Sequence, residues 1–312
     1  MGATFKPQNV VALMLAASLA STIGGLPFNT LPVLLGSLAD SFHLPPEQVG
    51  LLGSICFGGY LLGTLGAPVW IDLATSDVAG AQAFYRTVLD WDYENPGPGY
   101  GGYLNARRDG RYVGGMMASD PAWNAPDAWT VYLHTADIQA TIDAAVAAGA
   151  TTCIPAMEVP DKGWMAMLTD PTGAFFGLWQ PTGHQGFEAY EEAGAPVWFQ
   201  LTTTDFAKAT EFYTTVFGWQ LQVEADSPEF RYSNAIFDGE PLIGVMDGSV
   251  IPGLDRSTWN VFLGSDDVDK TIELITANGG SVVRAAEDTP YGRLAAVTDP
   301  TGAAFNLSSI KG

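Results

Sequence analysis

Side chains able to do acid–base chemistry are scarce in this sequence, which has only three histidines. His134 ends a segment of alternating polar and apolar residues that predicts a strand, and Asp72 lies in another such segment. An imidazole beside a carboxylate can act as a general acid–base pair because imidazole titrates near neutral pH. His134 and Asp72 are therefore the candidate catalytic pair. A solvated or backbone-bonded histidine at a strand end is the alternative interpretation.

Composition restricts the classes of partner. The chain has 312 residues, of which 47% are hydrophobic, so it can bury a large core spread over two or three domains. Lys and Arg total 13 against 34 Asp and Glu, and the net charge of -21 disfavours nucleic acid and anionic lipid surfaces. The two cysteines, Cys56 and Cys153, provide no disulfide framework, which favours a reducing compartment.

Residues 1–66 are apolar and almost uncharged, unlike the acidic remainder of the chain. Residues 10–35 and 49–66 are each long enough to cross a bilayer, which predicts an α-helical transmembrane hairpin. The stretch Leu31–Phe42 and the glycine-rich pieces after it resemble the first two helices of major-facilitator transporters. The resemblance implies a membrane segment with the rest of the chain in the cytoplasm. A fused fragment without membrane function is the alternative, and the whole chain is then cytoplasmic.

Three sequence segments occur twice, at a spacing of about 128 to 130 residues. The pairs are Gly66–Trp70 with Gly194–Trp198, Phe84–Leu89 with Phe212–Phe217, and Asp170–Ala174 with Asp299–Ala303. A constant spacing indicates tandem duplication. We therefore expect one domain at residues 67–182, a linker at 183–194 and a second copy at 195–312.

Each copy contains the same order of elements twice. An alternating strand leads into an alanine-rich helix, and several short strands separated by Gly, Pro and Asp follow. In the first copy, helices are predicted from about Val78 to Leu89 and from about Ile138 to Ala148. Aspartates precede all four helices at the expected N-cap positions, which are Asp77, Asp137, Asp205 and Asp267.

The order of motifs in each copy resembles the vicinal-oxygen-chelate superfamily. These motifs are a strand, a corner ending in Asp, a helix carrying Phe-Tyr and a closing Asp-Pro-Thr-Gly turn. This superfamily contains glyoxalases, bleomycin-resistance proteins and dioxygenases, and the resemblance covers about four fifths of the chain. It implies an α+β fold, in which four βαβββ units form a tandem pair of glyoxalase-like domains. Each domain would curl its sheet into a bowl, with helices outside and the site inside.

Strand alternation assigns side chains to the two faces of each sheet. It directs Val69, Ile71 and Leu73 towards the helices and their neighbours into the bowl. The predicted ligand-binding residues are Trp70, Thr130, Tyr132, Phe175 and Trp179 in the first bowl, with Trp198, Gln200, Asn260, Phe262 and Asn306 in the second. Aromatic walls with scattered amides suit a planar organic ligand. Ordinary core packing of the tryptophans is the alternative.

Metal-dependent members of the family hold their ion through His, Glu or Gln at fixed strand positions. The resemblance puts these positions at Trp70, Thr130 and Gly177 in the first copy and at Trp198, Asn260 and Asn306 in the second. The first set has no suitable ligand, and two amides without a carboxylate or imidazole bind a divalent ion weakly. We therefore expect no bound metal and no other cofactor.

The resemblance and the missing ligands together favour a metal-independent protein that binds a small planar molecule, as a monomer or a homodimer. A lyase, isomerase or hydroxylase-like enzyme of the same superfamily is the first alternative. The second is a membrane-anchored component associated with a transporter, which requires residues 10–66 to insert into a bilayer.

Overall fold

The computed structural model describes residues 64–123 and 125–310. The predicted membrane hairpin lies outside these ranges, apart from Thr64, Leu65 and Gly66. Within the described ranges, no helix is long and apolar enough to cross a membrane.

The first copy forms one eight-stranded mixed sheet. Its strands are β1 (Pro68–Thr75), β2 (Asp92–Glu94), β3 (Leu104–Arg108), β4 (Arg111–Ala118), β5 (Ala128–His134), β6 (Thr151–Val159), β7 (Gly163–Thr169) and β8 (Phe175–Pro181). Their order across the sheet is β2-β3-β4-β1-β5-β8-β7-β6. Each half of the sheet is thus one βαβββ unit, and the halves join where β1 pairs antiparallel with β5.

The second copy repeats this sheet strand for strand. Its strands are β9 (Pro196–Thr203), β10 (Gln220–Asp226), β11 (Arg231–Phe237), β12 (Glu240–Asp247), β13 (Thr258–Ser265), β14 (Ser281–Thr289), β15 (Gly292–Thr298) and β16 (Ala304–Ser309). The order β10-β11-β12-β9-β13-β16-β15-β14 has the same topology. The prediction of an α+β chain built from four βαβββ units is therefore confirmed.

The described residues form four α-helices, one in each unit. They are α1 (Val78–Leu89), α2 (Ile138–Ala147), α3 (Phe206–Phe217) and α4 (Val268–Ala277). The carboxylate of each predicted N-cap accepts a hydrogen bond from a backbone N–H in the first turn, at 2.9 to 3.1 Å. These four bonds satisfy donors that a helix start otherwise leaves unpaired.

The two copies share one hydrophobic core rather than forming two separate ones. Helix α1 packs against α4, and α2 packs against α3. The Tyr85 ring lies 5.7 Å from Phe305 of the other copy, and Phe176 lies 6.3 Å from Phe212, measured between ring centroids. The helices therefore lie between the copies, and both bowls face away from the shared core.

Two tyrosine–aspartate hydrogen bonds cross this core in a symmetric way. The Tyr85 hydroxyl donates to Oδ2 of Asp299 at 3.2 Å, and the Tyr213 hydroxyl donates to Oδ2 of Asp170 at 3.0 Å. Both carboxylates are buried. Burial raises the pKa of both tyrosines well above its usual value, so the hydroxyls stay protonated and can donate. We call these two interactions the crossed pairs.

One predicted side-chain direction is wrong. Val69 packs with Trp70 in the bowl of the first sheet rather than against the helices, whereas Ile71 and Leu73 lie in the shared core as predicted. The pairing of β1 with β5 shifts register between Pro68 and Trp70. Such a bulge inserts one residue and interrupts the alternation of faces.

Tyr85→Phe tests the crossed pairs because it keeps the ring and removes one hydroxyl. Asp299 would lose this donor, and the indole N–H of Trp129 would lose an acceptor at 3.2 Å. A buried polar group that loses its partner costs about 1–3 kcal/mol, so the free energy of unfolding in urea should fall by about that amount.

Tyr100→Phe is the matched control, since its hydroxyl donates to the Pro160 carbonyl in a solvent-exposed hydrogen bond. This change should alter the free energy of unfolding by less than about 0.5 kcal/mol. Equal losses in the two variants would contradict a special role for the crossed pairs.

Candidate functional site

The first bowl contains a buried carboxyl group, that of Asp72 on β1, which is 4% exposed. The Tyr132 hydroxyl donates to its Oδ2 at 2.7 Å, and Tyr103 forms a second side-chain hydrogen bond with it. Trp70 Nε1 in turn donates to the Tyr103 hydroxyl at 2.7 Å. Burial raises the pKa of Asp72 to about 7, although the two tyrosine hydrogen bonds partly oppose this shift.

Asp72 and His134 do not form the predicted catalytic pair. Asp72 lies opposite Thr130 of β5, and His134 lies four residues farther along that strand, a separation of about 13 Å along the strand. Burial lowers the pKa of His134, and its buried Nδ1 has no hydrogen-bond partner among the described residues. Both side chains are buried, but Asp72 is hydrogen-bonded to two tyrosines and His134 is not in contact with that group.

The other predicted residues of the first bowl pack mainly against one another. Trp70, Tyr132 and Trp179 form a buried cluster with Met167, and Thr130 is 7% exposed. Phe175, at the start of β8, is instead 42% exposed. The first bowl is therefore largely filled by its own side chains.

The linker between the copies covers the first bowl. His184 meets the Trp70 ring edge to face, with 4.4 Å between centroids, and Phe187 stacks on the same ring at 5.7 Å. The backbone N–H of Phe187 donates to the Val69 carbonyl at 3.0 Å, and that of Glu188 donates to the Tyr112 carbonyl at 2.8 Å. We call residues 183–188 the plug.

The second bowl contains an equivalent polar chain in which an amide replaces the acid. Trp198 Nε1 donates to the Tyr232 hydroxyl at 3.2 Å, and that hydroxyl donates to Gln200 Oε1 at 3.3 Å. Gln200 Nε2 and Asn260 Nδ2 then both donate to Thr202 Oγ1, at 3.2 and 3.0 Å. The indole, amide and threonine hydroxyl groups carry no charge. Burial raises the pKa of Tyr232 to about 12, so this hydroxyl is neutral as well.

The second bowl encloses a cavity of about 970 Å³. All five predicted residues of this bowl line it, namely Trp198, Gln200, Asn260, Phe262 and Asn306. A volume of this size lies at the upper end of the range for small-molecule pockets.

Residue size explains why one bowl is filled and the other is open. Three large residues of the first copy have small counterparts at the same register in the second. The large residues are Tyr112, Met167 and Trp179. The counterparts are Pro241, Ala296 and Ser308, and all three line the cavity.

Charges around the cavity are mostly negative. Glu191, Glu224 and Glu240 line it together with one cation, Arg284. The chain as a whole carries a net charge of -21. An anionic ligand would therefore meet repulsion, whereas a neutral ligand would not.

Tyr103 and Tyr232 are site residues that strand alternation did not predict. Each hydroxyl lies over a glycine of the neighbouring strand, because an added Cβ at Gly115 or Gly244 would be 1.9 or 1.8 Å from that oxygen. The signal was available in the sequence, since these tyrosines and glycines recur at the spacing of the repeat. The exposed aromatic side chains at the cavity, Phe230 and Tyr291, were also missed.

Comparison with known proteins identifies the family. Residues 69–179 match the model of a glyoxalase-like domain, and residues 195–307 match that of the Glyoxalase/Bleomycin resistance protein/Dioxygenase superfamily. The protein CFP32 of Mycobacterium bovis, which carries a provisional glyoxylase name, is 34% identical over 250 residues, covering 78% of this chain and 94% of that protein. The chain belongs to the glyoxalase/bleomycin resistance protein/dioxygenase superfamily.

Other members of the superfamily resemble the whole of both copies. The anthracycline biosynthesis protein DnrV of Streptomyces peucetius is 30% identical over 262 residues, which is 79% of this chain and 94% of that protein. The Mn(II)-bound glyoxalase of Novosphingobium aromaticivorans superposes with a TM-score of 0.56 at 13% identity, over 80% of this chain and 83% of that chain. At this identity the structural match describes the fold alone.

The side chains in the described part of this superfamily member do not fit a resident metal ion. No group of three or more His, Cys, Asp or Glu residues in the described ranges lies close enough together to hold one. In the second bowl, the amides of Gln200 and Asn260 are already hydrogen-bonded to Thr202. Neutral amides alone do not compensate the charge of a divalent cation.

Asp72→Asn should change how stability depends on pH. The pKa of Asp72 is about 7 in the folded protein against 3.8 ordinarily, so the folded state holds this proton more tightly than the unfolded state does. Its contribution to stability is complete below about pH 4 and is lost as the pH rises to about 7. In Asp72→Asn, the free energy of unfolding should therefore fall less steeply between about pH 4 and pH 7, by up to about 1.4 kcal/mol per pH unit. Urea unfolding at several pH values in this range measures the difference.

Asp255→Asn serves as the control because Asp255 is exposed. Its pH profile should follow that of the wild-type protein. An unchanged profile for Asp72→Asn would contradict the raised pKa of this carboxyl group.

Proposed function

We propose that this protein binds a small, planar, uncharged organic molecule in the bowl of its second copy, without a metal ion. The observation that carries the proposal is the cavity of about 970 Å³, which lies over Trp198 and Phe262. Large flat rings in a concave site favour a flat apolar ligand. The exposed Phe230 and Tyr291 add further aromatic surface at the cavity.

Polar groups on the floor of the cavity would orient this ligand. Asn260 Nδ2 is engaged by Thr202, which leaves the amide oxygen of Asn260 available to a ligand hydroxyl. Asn306 and Ser308 line the same cavity and offer further donors and acceptors. A planar molecule bearing hydroxyl or carbonyl groups matches this arrangement.

The chemistry of the floor supports binding rather than acid–base catalysis. Gln200 takes the place that Asp72 has in the first copy, and Phe262 takes that of Tyr132. An amide and a phenyl ring do not exchange protons near neutral pH. A metal-dependent lyase or dioxygenase also lacks its donor set among the described residues.

The names of the relatives agree with a planar ligand. DauV and DnrV, both named for anthracycline biosynthesis, are 30% identical over 262 residues. The polycyclic aglycone of an anthracycline is largely planar and carries hydroxyl and carbonyl groups, which is the ligand class proposed here. The membrane-associated alternative depends on residues 10–66 and stays a prediction.

Quinizarin, an uncharged dihydroxyanthraquinone at neutral pH, is a suitable probe of the second bowl. Isothermal titration should give one quinizarin per chain. Ser308→Trp puts a side chain like that of Trp179 into the cavity, so the affinity should fall at least about tenfold, the factor that corresponds to about 1.4 kcal/mol.

Thr215→Trp is the matched control, because it adds a tryptophan at an exposed position on α3. Its quinizarin affinity, and that of the wild-type protein in excess chelator, should equal the untreated wild-type value. Loss of binding in chelator, or full affinity in Ser308→Trp, would overturn the proposed function.

A further inference from the structure

Arg284 lies on β14, an outer strand of the second sheet, and lines the cavity of the second bowl. It forms no ion pair with any described residue, although the chain has 34 acidic residues and only 13 basic ones. Every other arginine of the described strands does form one, and these are Arg107, Arg108, Arg111, Arg231 and Arg293. The N–H donors of the Arg284 guanidinium are therefore available to a molecule in the cavity.

Strand pairing puts Arg284 at one end of a row of side chains on the concave face. Along this row Arg284 pairs with Ala296, Ala296 with Asn306, Asn306 with Phe262, and Phe262 with Trp198. Directly paired residues point to the same face of a sheet. The ends of the row are four strand spacings apart, about 19 Å along the curved sheet at about 4.8 Å per spacing. The row thus joins an aromatic floor to a cation, with an amide and a small methyl group between them.

The first copy has an apolar residue at the position of Arg284. Ile154 pairs with Met167 as Arg284 pairs with Ala296, and Ile154 packs against the aromatic cluster that fills the first bowl. The copy with the open cavity is therefore also the copy that has a guanidinium at this edge. A guanidinium suits recognition of paired oxygen atoms, whereas an isoleucine serves only packing.

Charges of opposite sign lie on the two outer strands of the second sheet. Glu224 of β10 lines the cavity and accepts hydrogen bonds from Gln222 and Asn234, both at 3.0 Å. Arg284 is on β14, at the other edge of the sheet. This separation makes the cavity electrostatically asymmetric, so the acceptor oxygens of a neutral ligand favour the end at Arg284.

We propose that Arg284 is the specificity-determining residue of the second bowl and selects planar ring systems with two adjacent oxygen atoms at one edge, such as a carbonyl beside a hydroxyl. The planar guanidinium can donate two parallel hydrogen bonds to such a pair. The rings would lie over Phe262 and Trp198, with the oxygen-bearing edge towards Arg284. This inference rests on the proposed function and adds the chemical group that the bowl recognises.

Arg284→Ile tests the proposal by introducing the residue of the first copy. Quenching of tryptophan fluorescence would give affinities for quinizarin, which has carbonyl–hydroxyl edges, and for anthracene, which has the same three rings without oxygen. The variant should bind quinizarin at least about tenfold less tightly, because charge-assisted hydrogen bonds are lost, and should bind anthracene as the wild-type protein does. Arg284→Lys keeps the charge without the planar fork and should recover only part of the loss.

Arg256→Ile is the matched control. Arg256 is exposed in the same copy, forms no ion pair with the described residues and does not line the cavity. The change removes the same charge, so both affinities should equal those of the wild-type protein. An equal loss of quinizarin affinity in Arg256→Ile and Arg284→Ile would overturn the proposal, because the effect would then come from net charge.

The ionisation of bound quinizarin gives a second readout that does not depend on affinity. Visible absorption follows the loss of a quinizarin proton as the pH rises, at ligand concentrations that saturate each variant. A neighbouring cation stabilises the ionised hydroxyl, so the pKa of bound quinizarin should be at least about half a unit lower in the wild-type protein than in Arg284→Ile. Equal pKa values would overturn the proposal.

The two ligands separate this inference from the proposed function. If the wild-type protein binds neither quinizarin nor anthracene, the proposed function fails and this inference fails with it. If the wild-type protein binds both equally well, or if Arg284→Ile weakens both to the same extent, only this inference fails. Arg284 is solvent-exposed, so its replacement should leave the fold intact, which thermal unfolding verifies.

Discussion

The crossed pairs are buried hydrogen bonds that join the two copies inside their shared core. Each buried carboxylate, Asp170 or Asp299, accepts hydrogen bonds from its own turn through one oxygen and from a tyrosine of the other copy through the second. Neither copy can satisfy its turn fully without the other. The helices of both copies lie in one shared core, and both concave sheet faces point away from it.

The same frame then supports two different bowls. Trp179 closes the first bowl, whereas Ser308 at the equivalent register leaves the second open. Burying a large aromatic side chain stabilises a protein by about 1.5–3 kcal/mol, so the first copy gains stability where the second keeps a cavity. The buried aromatic side chain of the first copy thus adds stability to a chain whose second copy keeps an open cavity.

Sequence patterns predicted the parts of the structure that depend on local rules. The repeat spacing, the N-cap aspartates and strand alternation located the four units and the five cavity residues of the second bowl. Alternation gives the face of a side chain but not its distance along a strand, which is why Asp72 and His134 were paired wrongly.

Repeat spacing, capping and strand alternation did not predict the features that depend on tertiary contacts. The bulge near Val69 turns this side chain to the opposite face of the sheet, and no residue of β1 indicates a bulge in the sequence. Tyr103 precedes its strand, so alternation did not apply to it, although its repetition as Tyr232 was visible. The linker gave no periodic signal, and only its packing on Trp70 reveals that it fills the first bowl.

The central claim is that the second bowl alone is open to a tricyclic planar ligand in the free protein. Fluorine NMR of protein labelled with fluorotryptophan tests it directly, because Trp198 lies in the second bowl and Trp70 and Trp179 lie in the first. Single Trp→Phe variants would assign the three resonances. Saturating quinizarin should shift the Trp198 resonance and leave those of Trp70 and Trp179 in place. A shift at Trp70 or Trp179 without one at Trp198 would contradict the account.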